Sequence, residues 1–331
     1  GMIYVFGQFL DHDLSQTKTT GGASFPIQVP MGDPEFDPTS TGTKTIGLKR
    51  SVFDPATGTS SDNPRQQVNS VTAFIDGSQV YGSDATRAAA LRTFSGGKLR
   101  TSTGNMLPFN TDGFPNDNDA HVVSDANLFL AGDTRANENP ALVAMQTLFM
   151  REHNRVATSL ASRNPTWTDE QLYQEARRAV CAELQAIVFN EFLPALLGQG
   201  AVAHYTGYQA DANPGIDTEF STGAFRFGHS TLDSDVGRMD DDGTDTPQGP
   251  IQLRDGFFNT TVYDPSLPNH EGDIDPFLKA VASETAQEVD TKLIDEIRNF
   301  LFGRPGQGGF DLAALNIQRG RDHGLADYNS I

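Results

Sequence analysis

Gly7-Gln8-Phe9-Leu10-Asp11-His12-Asp13 is the stretch on which the reading turns. It sits inside Met2 to Leu14, an otherwise apolar run that reads as a helix. On a helix, residues four apart share a face, so Gln8 and His12 stack one turn apart with Asp11 close beside them. Such a face can hold an imidazole, an amide and a carboxylate against one polar ligand. Taken alone, a solvated helix end with a satisfied histidine is the simpler reading. The rest of the chain decides between the two.

Composition sets the outer limits. A chain of 331 residues can be one large domain or two, and 37% hydrophobic residues suffice for a substantial core. Gly 32 and Pro 18 point to long loops rather than a tight bundle. Lys+Arg 24 against Asp+Glu 43 gives a net charge of −19, which disfavours nucleic acid and anionic membrane surfaces, since phosphate binding needs basic patches. Cys181 is the single cysteine, so no internal disulfide forms, and its setting reads as a buried small hydrophobe. No uninterrupted apolar run approaches membrane-spanning length, so no transmembrane segment is expected. The chain opens on Gly1 inside a helical stretch, so a true N-terminus is expected further upstream.

The coarse reading is predominantly α-helical. Asn139-Pro140 is a cap followed by a first-turn proline, and Leu142, Met145, Leu148, Phe149 and Val156 supply a helical stripe through about Ser162. Thr168-Asp169-Glu170-Gln171 is a capping-box pattern opening a second long helix to about Leu197, before Gly198. Shorter helices are expected over 84–93, 217–227 and 291–302. The stretches 17–63, 105–125 and 238–252 read as loops, the last carrying a solvated Asp240-Asp241-Asp242-Gly243 run. No internal repeat or linker is evident, and one domain over 1–331 is expected. Zinc-protease, serine-elbow and phosphate-loop signatures are missing, and Gly306-Gln307-Gly308-Gly309 is a lone glycine-rich turn.

Three further stretches join the opening one: Ala131-Gly132-Asp133-Thr134-Arg135-Ala136-Asn137-Glu138, Phe225-Arg226-Phe227-Gly228-His229, and Ala314-Leu315-Asn316-Ile317-Gln318-Arg319. In this order and context they resemble the animal-type haem peroxidases of the peroxidase–cyclooxygenase superfamily. The resemblance runs from Phe6 to about Tyr328 and includes Arg151-Glu152-His153-Asn154-Arg155 and Leu172-Tyr173-Gln174-Glu175-Ala176-Arg177. It implies a mainly α fold, helices with long loops around a buried haem b, and little β structure. Family members continue past Tyr328-Asn329-Ser330-Ile331, so a fragment of a longer protein is expected. Vertebrate relatives are disulfide-rich, so the single cysteine points to a microbial source. Secretion is expected from the family.

The resemblance also assigns roles. His12 matches the distal histidine, a base that takes a proton from hydrogen peroxide and returns it to the departing oxygen. Arg135 matches the distal arginine that stabilises the leaving charge, and Gln8 the glutamine lining the distal cavity. His229 matches the proximal iron ligand, with Asn316 as partner of its other ring nitrogen. Arg319 matches an arginine that pairs with a haem propionate, and Arg226 a second proximal-side arginine. Asp11 and Glu138 match the carboxylates that form esters to haem methyl groups. Some relatives follow that glutamate with a methionine that makes a sulfonium link; Asn139 stands here, so that link should be missing.

Calcium is implied too. Thr72, Phe74, Asp76 and Ser78 alternate along Val71 to Ser78 as in the family's calcium loop, and Asp13 completes the set. Read by alternation alone, the segment is an ordinary strand. His153 reads as structural; His121, His204, His270 and His323 receive no role. Two alternatives stand beside a peroxidase using halide, thiocyanate or phenolic donors. A fatty-acid dioxygenase would carry a tyrosine three residues before the proximal histidine, where this chain has Arg226. A non-catalytic, calcium-stabilised extracellular module would keep the fold without turnover.

Overall fold

The computed structural model describes residues 1–268 and 270–330 and is built mainly from helices joined by long loops. Helix α1 (Met2–Leu14) has the expected bounds and turns Val5, Phe6, Phe9, Leu10, His12 and Asp13 inward. Strands β1 (Ile27–Gln28) and β2 (Thr45–Ile46) pair antiparallel within the first loop region, and residues 71–76 lead into a one-turn helix α2 (Ser78–Tyr81). Helix α3 (Ala85–Ala90) follows, capped by Asp84, whose carboxylate accepts from the Thr86 and Arg87 amides. Helix α4 (Pro140–Arg163) is the central pillar, buried at every position from Pro140 to Thr147.

Local chemistry explains where α4 and its partner begin. Asn139 Oδ1 accepts from Leu142 N at 2.9 Å, and Pro140 follows in the first turn, where its missing N–H is no loss. Helix α5 (Asp169–Ile187) opens with the capping box Thr168/Gln171 and lays Leu172, Tyr173, Ala176, Val180 and Leu184 along α4. It runs on through a π turn at Val188–Phe192 into α6 (Leu193–Leu197), which stops at Gly198 with φ 92°. Pro194 explains the π turn: its ring offers no N–H and crowds the preceding turn, so the hydrogen-bond register shifts. By length and composition alone the helix 169–197 could cross a membrane, although Glu183 and Glu191 interrupt it and one face packs on α4. Length and composition alone do not make it a span, and no strong transmembrane segment is present among the described residues.

The remaining elements are α7 (Thr218–Thr222), β3 (Asp235–Val236) paired with β4 (Ile251–Gln252), α8 (Leu253–Gly256), α9 (Asp275–Ser283), α10 (Asp295–Arg298) and α11 (Leu312–His323). Three expected helices are shorter than their sequences suggest. The helix at 84–93 ends at Ala90 because the chain doubles back through Phe94, Gly96 and Gly97, all with positive φ, to pair Arg92 with Leu99. The helix at 217–227 breaks at Gly223, beyond which a 3-10 turn spans Ala224–Ser230. That at 291–302 shrinks to α10, and Phe302 with φ 61° turns the chain toward the Leu301–Phe310 bridge. Helix α11 was not anticipated; Asp311 caps it and Gly324, at φ 71°, ends it. Asp240, Asp241 and Asp242 form a solvated turn, as expected, with Lys279 paired to Asp241. One core cluster joins α1, α4, α5, α9 and the 257–263 segment, and a small satellite of Val29, Phe36 and Ile46 lies under the first loop.

Candidate haem site

The quoted motifs converge on one cavity of about 460 Å³. Gln8, Asp11 and His12 line it from α1, and Arg135 and Glu138 from the segment leading into α4. Arg226 and His229 face it from the 3-10 turn, and Leu315 and Arg319 from α11.

His12 is almost fully enclosed. Burial, helped by the nearby Arg135 charge, pushes its pKa down to about 3, so the imidazole is neutral across the physiological range. Its Nδ1 makes no hydrogen bond and lies 3.7 Å from Asp133 Oδ1, and its Nε2 is 3.7 Å from Glu138 Oε2. Arg135 is held by a fork: Nε reaches Asp133 Oδ1 at 2.9 Å and the second terminal nitrogen reaches Oδ2 at 2.8 Å. Burial alone would raise Asp133, but this guanidinium overrides it and holds the carboxylate at about 2. The fork leaves one terminal nitrogen of Arg135 turned toward Asp11, 3.4 Å away.

Glu138 and Asp11 behave differently from Asp133. Burial raises Glu138 to about 8 despite Arg135, with Asp117 and Asp133 adding to the rise. Burial also raises Asp11, against the pull of Arg135 and a 2.9 Å bond from Ser15 Oγ. Gln8 Nε2 donates to Glu138 Oε2 at 2.6 Å, and Asn139 Nδ2 donates to Gln8 Oε1 at 2.8 Å. Asn139 therefore caps α4 with its oxygen and orients the distal glutamine with its nitrogen.

On the opposite wall, His229 Nδ1 meets Asn316 Nδ2 at 2.9 Å, and Arg226 donates to Asn316 Oδ1 at 2.7 Å. Burial, aided by Arg226, lowers His229 to about 4, so it too is neutral. In this arrangement Asn316 donates to Nδ1. An iron-ligating imidazole instead needs Nδ1–H to donate outward, which calls for a turned Asn316 amide and a displaced Arg226. One terminal nitrogen of Arg319 is engaged by Lys49 O, Ser51 Oγ and Asp322.

The expected calcium residues also come together, though not as a strand. Residues 71–76 form successive bends, Ser78 starts α2, and the Phe74 ring is exposed while its carbonyl accepts from Asp76 N. The expected alternation is corrected: oxygens converge because the loop curls. Thr72 Oγ1 donates to Asp76 Oδ1 at 2.9 Å, and Ser78 Oγ to Asp13 Oδ1 at 2.8 Å. Ser78 N is 2.6 Å from Asp13 Oδ1 and 3.1 Å from Asp76 Oδ1, so two carboxylates share one amide. Burial lifts Asp13 to about 7, and Asp76 adds to the rise. Carboxylate, hydroxyl and carbonyl oxygens in this grouping suit a hard cation. Among the described residues no three His, Cys, Asp or Glu cluster as a metal site, so this grouping offers two carboxylates, Asp13 and Asp76, with hydroxyl and carbonyl oxygens around them.

Two contributors went unassigned in the sequence. Asp133 lay inside a quoted motif without a role, although a carboxylate two residues before Arg135 was the available signal. His323 bridges Thr222 Oγ1 at 2.7 Å and Ser51 Oγ at 2.8 Å, and His323 and Thr222 both line the cavity. Cys181 is half-buried rather than fully so, its thiol directed at the Asp76 carbonyl.

The animal haem peroxidase family pattern matches residues 1–331. Peroxinectin A of Dictyostelium discoideum is 36% identical over 340 residues, covering 100% of this chain and 62% of its own length. Human eosinophil peroxidase is 36% identical over 366 residues, covering 99% and 49%. The solved structure of peroxidase A from Dictyostelium discoideum superposes with a TM-score of 0.91 at 35% identity, covering 99% of this chain and 64% of that one. A fatty acid alpha-dioxygenase from Oryza sativa shares the fold alone, with a TM-score of 0.72 at 20% identity and coverages of 99% and 56%. The chain thus spans less than two thirds of each of these relatives. With its four motifs gathered on one cavity, the chain belongs to the animal haem peroxidase family.

Proposed function

We propose that the chain is the catalytic domain of a haem peroxidase that reduces hydrogen peroxide and oxidises halide, thiocyanate or phenolic donors. One observation carries the reading. Two neutral imidazoles, His12 beside Arg135 and His229 beside Asn316, line the same cavity although more than two hundred residues separate them. The residues fit haem: His229 Nε2 is unengaged, Arg226 and Arg319 supply positive charge, and Phe225, Phe227, Phe257, Leu312 and Leu315 offer apolar walls. Haem, when bound, supplies the redox-active iron and ring that accept oxidation by peroxide.

The chain's own groups do the rest. His12, neutral above about pH 3, takes the peroxide proton and hands it to the departing oxygen. Arg135, fixed by Asp133, presents its remaining nitrogen to the charge that develops there. Gln8, oriented by Asn139 and Glu138, positions water or a small anion beside His12. Asp11 and Glu138 are the groups proposed to esterify the haem methyls. Asp13, Thr72, Phe74, Asp76 and Ser78 are the proposed calcium ligands, and because Asp13 adjoins His12, the ion would steady the catalytic base. An extracellular setting fits, since sites of modest charge fill where calcium is abundant.

Without a sulfonium at Asn139, the ester links are neutral and withdraw less electron density from the ring. Chloride, the hardest common halide to oxidise, should be used poorly, while iodide, thiocyanate and bromide are used. A dioxygenase reading lacks its tyrosine, since Arg226 holds that position. The test is halogenation of a trap substrate by the haem-loaded chain with each anion at matched concentration, beside mass spectrometry of the haem peptide. Chloride turnover equal to bromide turnover, or haem bonded to an Asn139 peptide, overturns the donor assignment. A haem-loaded chain with no peroxide-dependent turnover is instead the non-catalytic module.

A further inference from the structure

Behind the distal wall lies a cluster that the proposed peroxide chemistry does not use. Tyr81 and His153 are both fully buried, and Tyr81 Oη is 3.0 Å from His153 Nδ1. The other ring nitrogen, Nε2, is 2.8 Å from the carbonyl oxygen of Gly97. A carbonyl can only accept, so Nε2 carries the proton and Nδ1 offers its lone pair to the phenol. Burial keeps the imidazole neutral, at about 4, and keeps the phenol protonated. The resting pair is therefore a phenol donating to a free base in a dry pocket.

We propose that Tyr81 and His153 form a proton-coupled redox pair, in which Tyr81 is where an oxidising equivalent comes to rest as a neutral tyrosyl radical. Tyr81 loses one electron to the oxidant, which in the working protein is the peroxide-oxidised prosthetic group. Its phenolic proton moves along the existing bond to His153 Nδ1, and the imidazolium keeps its Nε2–H on Gly97 O. Reduction by a donor returns the electron, and the proton goes back to the phenolate oxygen.

The neighbours single out Tyr81. Tyr173 is in ring contact with both partners, at 6.1 Å from Tyr81 and 5.3 Å from His153, yet among the described residues no base is hydrogen-bonded to its hydroxyl. The Arg92 guanidinium sits 3.8 Å over the Tyr173 ring, closer than Arg177 lies to Tyr81 at 5.1 Å, and a cation there opposes electron loss. Tyr263 gives its proton to the Pro140 carbonyl, which cannot accept it outright. Of the tyrosines among the described residues, Tyr81 alone has a titratable base as hydrogen-bond partner. The pair also adjoins the cavity wall on two sides. Ser78, less than one turn before Tyr81, is bonded to Asp13 beside His12. Phe149, one turn before His153, stacks on Phe9 of α1 at 5.0 Å.

The test uses the haem-free chain, so its result is independent of the haem assignment. A ruthenium bipyridyl photo-oxidant is tethered at Glu170→Cys, a half-exposed side chain near Tyr173, in a Cys181→Ser background that keeps the donor to Asp76 O. Flash-quench with hexaammineruthenium(III) followed by EPR should show a tyrosyl radical. Its yield should fall about tenfold or more in Tyr81→Phe and His153→Gln, the worth of one hydrogen bond to a charged partner, and persist in Tyr173→Phe. Should Tyr81→Phe fail to fold, 3,5-difluorotyrosine at position 81 keeps the bond and must change the hyperfine pattern. A signal unaltered by that label, one carried by Tyr173 or the exposed Tyr205 and Tyr208, or none at all after efficient photo-oxidation, overturns the proposal.

Discussion

Replacing Glu138 with glutamine should stabilise the haem-free chain, and by an amount that depends on pH. The Glu138 side chain is 19% exposed. Burial, reinforced by Asp117 and Asp133 and opposed by Arg135, moves its pKa from 4.5 to about 8. The unfolded chain releases this proton near the ordinary value, whereas the folded chain holds it until about pH 8. Between those limits the folded state binds more protons, so stability falls as pH rises, by about 1.4 kcal/mol per unit. At pH 7 the loss is about 3 kcal/mol, and it levels off above the folded pKa. Glutamine removes the ionisation but keeps a carbonyl to accept the 2.6 Å bond from Gln8. Urea denaturation of parent and Glu138→Gln should therefore coincide near pH 4 and diverge toward pH 8, the variant being the more stable. A stability difference that stays constant with pH would refute the reasoning.

Three further outcomes follow from the same geometry. His12 is lowered to about 3, and His153, His229 and His323 to about 4, so each folded imidazole binds fewer protons than its unfolded counterpart below about pH 6.5. Stability should be lost as pH falls through that window, seen more clearly by thermal denaturation of Glu138→Gln, where one opposing carboxyl is gone and the raised Asp11 and Asp13 remain. Calcium at a hundredfold excess over its dissociation constant should stabilise the fold by about 2.7 kcal/mol. The effect should vanish in Asp76→Asn, and a melting temperature indifferent to calcium in the parent would exclude the site. Arg135→Gln strips the buried Asp133 of its fork and should cost about 3–5 kcal/mol in chemical denaturation, whereas Arg135→Lys should recover part of it.

The long helices were legible because their signals are local. Asn139-Pro140 and the Thr168/Gln171 box set the starts of α4 and α5 without help from the rest of the fold. The shortened helices were not, because their ends are set by distant partners: the Arg92–Leu99 and Leu301–Phe310 bridges outweigh local propensity. Helix α11 escaped notice because its apolar residues do not keep to one face, and Ile317 is 59% exposed. The site was legible only through family resemblance. No periodicity predicts that His12 and His229 share a cavity, and Asn139 acts on Gln8 through a bond visible only once the chain is folded, whereas Asp133 left a local signal in its spacing to Arg135. Asn316 shows the limit of motif transfer: it meets His229 as expected, yet Arg226 holds its oxygen.

The most direct measurement is a haem titration of the chain and of His229→Ala, followed by absorption and EPR of the ferric state. Iron ligation through His229 predicts a Soret band with a five-coordinate, histidine-ligated ferric signature in the parent, altered promptly by hydrogen peroxide. In His229→Ala that signature should be missing even where haem still enters the cavity. The same coordination spectrum in both proteins would contradict the account.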